Sequence, residues 1–517
     1  MTSLQHLQNF RQQLYELFPL RRDAIFELID SISTHANKCK SIVQLSQAPC
    51  FTREYTSITD AISDGLGKYD FSEITKLIFE YCCVKSTHDY HLFGTDVTAC
   101  PRPHAKKLED RSIVHAPTYT PGQKPIALGH QYSVTAWLPK KQEDKDKHWI
   151  VPLVGDRVPT NQKPSEFGMT QLTKLITDLD LQDELVVSVS DSAYGSENCR
   201  KEANTVSNLV HIYRLPGHRN IYCKLEKNKN KQKKYGDTMS LKKEATHKDP
   251  DDTTTTTYKS CKGRLYHVSI SRWDDMRVRG TRTFKAYKHP FDLLRILIRH
   301  VLDDGSHGDV VGKPMWLVAY GERRREISTL DIYQNYAQRF DLEHYFRFGK
   351  NNMLLTKYQT PSVEHEETFF MLCLIAYAEM YLARNDAELV LTKWEQYGYD
   401  DNQCGSDTLS PAKVQRSFQS VLAKTSTPAK VAKKRGINSG RKTGESVGYR
   451  ENKDTIFKTK PNKSKPCVKL SGFEKKDKIS NLESLVEAAK SLPKILKRIG
   501  LTVAEFTEVL NNASAPP

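Results

Sequence analysis

The apolar pattern between about residue 88 and residue 216 changes repeatedly between the period of a strand and that of a helix, and this alternation constrains the fold most. Three strand patterns are followed by a helical face, a strand, a short helix and a last strand. The strand stretches read YHLFGTDVTA, IALGHQYSVTAWLP, HWIVPLVGD, ELVVSVSD and NLVHIYRLP. The order βββ-α-β-α-β predicts an α/β fold, with a mixed five-stranded sheet covered by helices.

The segments around this core differ from it in composition. Residues 1–87 carry apolar residues at helical spacing and are expected to form a helical domain. Residues 88–216 form the first part of the core, and residues 217–330 interrupt it. Residues 331–390, with two helical patterns, complete the core.

The interruption has two parts. Residues 217–250 contain ten Lys or Arg and four Asp or Glu, and together with the stretch DDTTTTT that follows they are expected to be mobile. Strand patterns then return, with a helix expected over FDLLRILIRHVL. Residues 217–330 are therefore predicted to form an inserted, mainly β subdomain.

The C-terminal part is basic. Residues 391–470 are expected to be a basic linker, since residues 411–470 contain 16 Lys or Arg but three Asp or Glu, and the segment should be partly disordered. Residues 471–517 regain apolar periodicity and include a capping box from Thr502 to Glu505, which predicts a small helical tail.

Charge and cysteine spacing narrow the classes of function. The chain has 78 Lys or Arg and 62 Asp or Glu, a formal charge of +16, which indicates a polyanionic partner. Its 11 cysteines form no CxxC pair, so spacing indicates neither a zinc site nor a disulfide framework. The longest apolar run, Phe369 to Ala378, is far shorter than the ~18–20 residues that span a bilayer, so no membrane segment is expected.

The most informative stretch is YAQRFDLEHYFRFGK, from Tyr336 to Lys350. At about 100° per residue, Tyr336, Arg339, Glu343 and Lys350 share one helix face. Such a face can place a carboxylate for a divalent cation beside groups that grip phosphate oxygens. The alternative is an ordinary amphipathic helix whose polar side meets water and forms ion pairs four residues apart.

The spacing Tyr-x2-Arg-x3-Glu-x6-Lys resembles the signature of one large branch of the DDE insertion-sequence transposases, at every position. The resemblance implies a ribonuclease H-like core, a mainly β insertion between its fifth strand and the Glu-bearing helix, and a catalytic triad of Asp96, Asp191 and Glu343. It places Asp96 at the end of the first strand and Asp191 at the end of the fourth. Taken alone, Asp96 could be a turn residue and Asp191 a helix N-cap.

The resemblance also implies a metal cofactor and a set of DNA contacts. Asp96, Asp191 and Glu343 would bind two Mg²⁺ ions, for which Mn²⁺ can substitute. The expected DNA-contacting residues are Tyr336, Arg339, Arg347, Lys350, Lys106, Lys107 and Trp273. An inserted tryptophan can stack on a flipped base in such proteins, but a core role for Trp273 is the alternative. Lys106 and Lys107 could equally belong to an exposed basic loop.

The activity implied is transposition: binding of terminal inverted repeats through the N-terminal helical domain, metal-dependent strand cleavage and strand transfer. The partners implied are double-stranded DNA, at transposon ends and target, and a second copy of the chain in a homodimer. The expected location is the bacterial cytoplasm, at the nucleoid. Two alternatives stay open: a non-catalytic DNA-binding relative, and a ribonuclease H-like nuclease or resolvase that joins no strands.

Overall fold

The computed structural model of the chain describes residues 3–65, 71–83, 90–116, 125–141, 148–225, 234–260, 263–302, 304–397, 408–433, 444 and 448–457. The predicted helical tail at 471–517 and parts of the basic linker lie outside these residues. Among the helices in these ranges, none is long and apolar enough to cross a bilayer.

Most strands belong to one mixed sheet. The strands are β1 (Tyr90–Pro101), β2 (Ser112–His115), β3 (Ile126–Trp137), β4 (Val151–Val158), β5 (Leu185–Ser190), β6 (Leu209–Leu215), β7 (Asn220–Tyr222), β8 (Thr238–Ser240), β9 (Asp252–Lys259), β10 (Leu265–Met276), β11 (Phe291–Val301), β12 (His307–Val310) and β13 (Met315–Tyr320). Their order in the sheet is β2-β3-β1-β5-β6-β13-β11-β10-β9, with β4 paired to β3 and β12 to β11. The predicted α/β class and mixed sheet are confirmed. The five predicted core strands form as β1, β3, β4, β5 and β6, and β2 together with the insertion strands β9 to β13 extends the sheet to eleven strands.

The inserted strands extend the core sheet. Strand β5 runs parallel to both β1 and β6, and β13 pairs antiparallel with β6. Strands β11, β10 and β9 then follow outward, each antiparallel to its neighbour. Pairing with β13 satisfies the backbone groups that β6 would otherwise expose at a sheet edge.

Two expectations within the insertion are wrong. The stretch FDLLRILIRHVL forms strand β11, not a helix, because β10 and β13 flank it and it buries Phe291, Leu293 and Leu294. A central strand covered on both faces is apolar at successive positions, and this hides its period of two. The Thr-rich stretch is likewise ordered, as the outer strand β9.

Helices cover both faces of the sheet. They are α1 (Ser3–Leu17), α2 (Arg22–His35), α3 (Thr56–Asp60), α4 (Ser72–Cys82), α5 (Pro164–Asp178), α6 (Glu197–Ala203), α7 (Thr329–Gln338), α8 (Phe340–Asn352), α9 (Val363–Leu382), α10 (Lys393–Gln396) and α11 (Pro411–Thr425). Helix α9 is buried along almost its whole length, and it packs on β4, α2 and α4. An apolar helix without a polar face is typical of such a central position.

Helix α11 is an ordered part of the segment predicted to be a basic, partly disordered linker. Val414, Phe418 and Val421 are fully buried, and the helix packs on α1, α2 and α9. These residues recur at helical spacing, and the high charge of the surrounding segment conceals this amphipathic pattern.

The helices α5 and α8 lie on opposite faces of β1. A methyl group added at Gly94 would lie 2.6 Å from Leu342 Cδ1 of α8. One added at Gly168 of α5 would approach Thr95, the next residue of β1. Successive residues of a strand point to opposite faces, so the two helices sandwich β1. The absence of a side chain at Gly94 lets α8 approach the strand closely.

Candidate active site

Asp96 and Asp191 stand at the same level of two neighbouring parallel strands. The β1–β5 pairing runs from Tyr90 opposite Leu185 to Gly94 opposite Val189. Continued by two residues, this register places Asp96 beside Asp191. The prediction that Asp96 ends its strand is wrong, because β1 continues against β3 as far as Pro101. It lies where the β1–β5 pairing ends, so the two carboxylates emerge together.

The backbone holds Asp191 in place. Its Oδ1 accepts a hydrogen bond from the Ala193 N–H at 2.8 Å, which caps the 3₁₀ turn Ser192–Gly195 that follows β5. Asp191 is therefore an N-cap, as the alternative interpretation expected, through one of its two carboxylate oxygens. Since only Oδ1 accepts this capping hydrogen bond, Oδ2 of Asp191 can bind a ligand.

Arg339 joins Glu343 to Asp96. Its guanidinium donates to Asp96 Oδ2 at 3.2 Å and to Glu343 Oε1 at 2.9 Å. The Arg339 side chain is 9% exposed, whereas that of Glu343 is 48% exposed. The helix predicted over Tyr336 to Lys350 is interrupted at Arg339, between α7 and α8. The Arg339 guanidinium thus links Glu343 to Asp96, and Asp191 is near enough for its charge to act on Asp96.

The pKa of Asp96 is shifted mainly by burial and to a smaller extent by neighbouring charges. Burial raises the pKa of Asp96 to about 6, against opposing effects of the Val97 N–H and of Arg339. The charges of Asp191 and Glu343 raise this pKa further. Three carboxylates in one partly buried place are favoured only when cations neutralise them.

The rest of the Tyr-Arg-Glu-Lys face surrounds this place. Tyr336 is 3% exposed, and its ring centroid lies 5.9 Å from the Arg339 guanidinium carbon. Lys350 is half-buried; burial lowers its pKa, and the nearby Cys100 and Asp96 partly offset that shift. Arg347 is exposed. In this conformation the tyrosine is a packing residue, while Arg347 is open to a partner.

The other predicted DNA contacts lie elsewhere. Trp273 is 5% exposed and packs against Trp316, and its indole N–H donates to the Lys248 carbonyl at 2.8 Å. These contacts support the alternative interpretation, in which Trp273 is a core residue. Lys107 donates to the Arg450 carbonyl, with its ammonium 4.4 Å from the Tyr449 ring centroid, and the Lys106 carbonyl accepts from the Lys453 N–H. Residues 449–453 thus contact this loop, while the Lys106 side chain is exposed.

The carboxylates suit a divalent cation by their donor chemistry. Mg²⁺ and similar hard cations bind carboxylate oxygens, and the pKa of Asp96 is raised mainly by burial even though Arg339 lies beside it. In the described part of the chain, no three His, Cys, Asp or Glu side chains are arranged tightly enough to hold a metal ion. Arg339 accounts for this at the candidate site, since it stands between Asp96 and Glu343.

A second charged cluster borders Glu343, and the sequence analysis missed it. Asp341, 1% exposed at its side chain, lies 2.7 Å from Lys141 Nζ and 2.6 Å from His148 Nδ1. The His148 ring stacks on that of His344 with centroids 4.0 Å apart. A signal was available: Asp341 lies nearly opposite Glu343 on α8, on the buried side, where a carboxylate needs a cationic partner.

The fold and the paired carboxylates are compatible with a nuclease, and comparison with known families agrees. The family of DDE superfamily endonucleases matches residues 13–279, slightly more than half of the chain. The chain belongs to this family, whose members are nucleases and transposases that act on DNA. The matched residues include Asp96 and Asp191 but end before Glu343. No curated protein matches the chain.

Proposed function

We propose that the chain is a transposase of the branch with the Tyr-Arg-Glu-Lys signature. It would bind the terminal inverted repeats of its element, cleave DNA strands and join the ends to a target as a homodimer. The observation that carries this proposal is the convergence of Asp96, Asp191 and Glu343 beside β1 and β5, with Arg339 bridging two of them. This is an arrangement of charges suited to phosphoryl transfer.

The residues divide the work by charge and exposure. Asp96, Asp191 and Glu343 would hold two Mg²⁺ ions, which activate the attacking hydroxyl and stabilise the leaving oxygen when bound. Arg339 would exchange its carboxylate partners for phosphate oxygens, since guanidinium pairs well with either. Lys350 and Arg347 would keep the DNA backbone in line with the carboxylates, and this positioning contributes directly to rate.

The test is cleavage and joining of a labelled duplex that carries the repeat flanking the coding region. Asp191→Asn keeps the size of the side chain and removes its charge. We expect it to lower cleavage in Mg²⁺ by at least about 100-fold, because a metal ligand is lost. The matched control is Asp183→Asn, at the exposed opposite end of the same strand, which should cleave as the wild type does.

The products separate the proposal from its alternatives. Nicked and joined DNA in Mg²⁺, absent in chelator, supports a transposase. Cleavage without joined products would indicate a nuclease or resolvase. Tight binding without cleavage in Mg²⁺ or Mn²⁺ would indicate a non-catalytic DNA-binding protein. Equal cleavage by Asp191→Asn and wild type would reject the proposed site.

A further inference from the structure

The cluster beside the catalytic helix is built around a buried charge. Asp341 is almost fully inaccessible, yet both of its partners reach the surface: the Lys141 side chain is 31% exposed and that of His148 is 53% exposed. Lys141 follows β3 and His148 precedes β4, so Asp341 fixes both ends of the β3–β4 connection to α8. A buried carboxylate costs free energy unless it is paired. The pairing here fixes the positions of a surface ammonium group and a surface imidazole.

The same surface continues along α8. His344 stacks on His148, and Arg347 lies one turn beyond Glu343 and is exposed. We call Lys141, His148, His344 and Arg347 the α8 rim. Residues four apart share a helix face, so Arg347 and Glu343 point to the same side. Arg347 therefore adjoins Glu343, and His344 continues the α8 rim from there to His148 and Lys141.

We propose that the α8 rim binds the DNA phosphates that neighbour the reacting phosphate on the same strand. Asp341 is the positioning residue of this rim. This inference rests on the proposed function, because it takes DNA to be the ligand at Glu343. One turn of helix advances about 5.4 Å, and phosphates of one strand follow each other at about 3.4 Å along a duplex. A strand held at Glu343 therefore brings neighbouring phosphates within reach of the rim.

The chemistry of the rim matches phosphate. Lysine supplies a point charge, arginine a planar set of donors, and imidazole an N–H donor beside them. The Asp341 contact occupies Nδ1 of His148, so the ring is oriented with Nε2 on its far side. A carboxylate that orients an imidazole in this way fixes which ring nitrogen faces the ligand.

The experiment measures binding without cleavage. A fluorescein-labelled 40-bp duplex of arbitrary sequence is titrated with the full chain in EDTA between 50 and 200 mM NaCl, read by anisotropy. The slope of log K against log salt is negative, and each lost phosphate contact reduces its magnitude by about 0.9. Every slope below is given as this magnitude. We expect Lys141→Ala/His148→Ala to lower that slope by about 1–2 and the affinity at 50 mM salt by about 10-fold.

The control and rescue variants use the same readout. Lys174→Ala removes a lysine that is 71% exposed on α5, on the other face of β1, and should stay within about 2-fold of wild type. Lys141→Arg keeps the cation and its pairing with Asp341, and should retain the wild-type slope. Arg347→Ala, an exposed site outside the buried contacts, should lower the slope by about 1 even if the double variant folds poorly.

The outcomes are distinguishable. Unchanged slopes in the double variant and in Arg347→Ala would overturn the inference and leave Asp341 a purely structural residue. Asp191→Asn, measured in parallel, should keep the wild-type slope while losing cleavage. If the wild-type chain cleaves nothing but the rim variants lower the slope, the proposed function fails and the phosphate contact stands.

Discussion

At the scale of single residues, buried charge also occurs far from the candidate active site. Arg11 of α1 is 1% exposed and lies 2.8 Å from Asp30 of α2 and 3.1 Å from Glu379 of α9. Burial raises the pKa of Glu379 to about 8, against the effect of Arg11, and Asp30 raises it further. One guanidinium therefore does not compensate two buried carboxylates.

The consequence is a pH-dependent stability. An acid whose pKa rises from 4.5 when unfolded to about 8 when folded contributes stability that is fully present below pH 4.5. That contribution is lost as the pH rises through 8, because the unfolded chain then binds fewer protons. We expect the melting temperature to fall between pH 6 and pH 9, and to fall less in Glu379→Gln, measured by calorimetry.

The control for this prediction is Glu388→Gln, an exposed carboxylate paired with Lys424. It should keep the pH profile of the wild type. If Glu379→Gln and wild type lose the same stability between pH 6 and pH 9, proton binding at Glu379 does not contribute.

The family resemblance placed Asp96 and Asp191 on neighbouring strands, although β1 continues beyond Asp96, and it gave no indication of the Asp341 cluster. Aspartates that interrupt apolar strand patterns can be located from the sequence, because strand order brings them to one level. Lys141 and His148 lie on either side of a connection whose course no periodicity predicts. Their meeting with Asp341 depends on the tertiary fold alone. The catalytic roles of Asp96, Asp191 and Glu343 stay predictions.

At the scale of elements, the approach of α8 to β1 sets the distance between Glu343 and Asp96. Gly94 permits this approach, since an added methyl group would overlap Leu342, which is fully buried. We expect Gly94→Ala to cost about 1–3 kcal/mol of stability through overpacking. Displacement of α8 should also lower cleavage by about 10-fold or more, measured on the labelled duplex.

A compensating variant separates packing from other effects. Leu342→Val in the Gly94→Ala background removes a methylene near the new methyl group, and should restore part of the activity. Gly448→Ala serves as control, because nothing lies within 4 Å of a methyl group at that position. Activity of Gly94→Ala equal to that of the control would show that the spacing of α8 and β1 does not matter.

The same cause explains why the sequence predicted a helix at β11 and disorder at α11. Strand β11 carries apolar residues on both faces, so its pattern resembled a helix, and its neighbours β10 and β13 determine its state. Helix α11 lies in a stretch whose charge predicts disorder, yet four apolar residues, Val414, Phe418, Val421 and Leu422, anchor it. Tertiary packing overrides local composition in both elements.

At the scale of the whole molecule, helices distant in sequence form one core. Gln415 of α11 donates to the carbonyls of Ile32 in α2 at 3.3 Å and of Asn352 in α8 at 2.9 Å. Helix α11 also packs on α1 and α9. The N-terminal helices predicted to bind DNA are therefore joined to the helix that carries Glu343. A substitution that destabilises α11 should therefore destabilise both the N-terminal helices and α8.

Phe418 tests this coupling, because it is fully buried on α11. Phe418→Ala should cost about 3–5 kcal/mol in urea unfolding, from lost burial plus the cavity left behind. Lys424→Ala, an exposed site on the same helix, should cost less than about 1 kcal/mol. Hydrogen exchange should show weaker protection in α1, α2 and α9 together, since they share the core with α11. Loss of protection confined to α11 would mean that the helix only covers an independently stable core, and that the N-terminal helices fold without it.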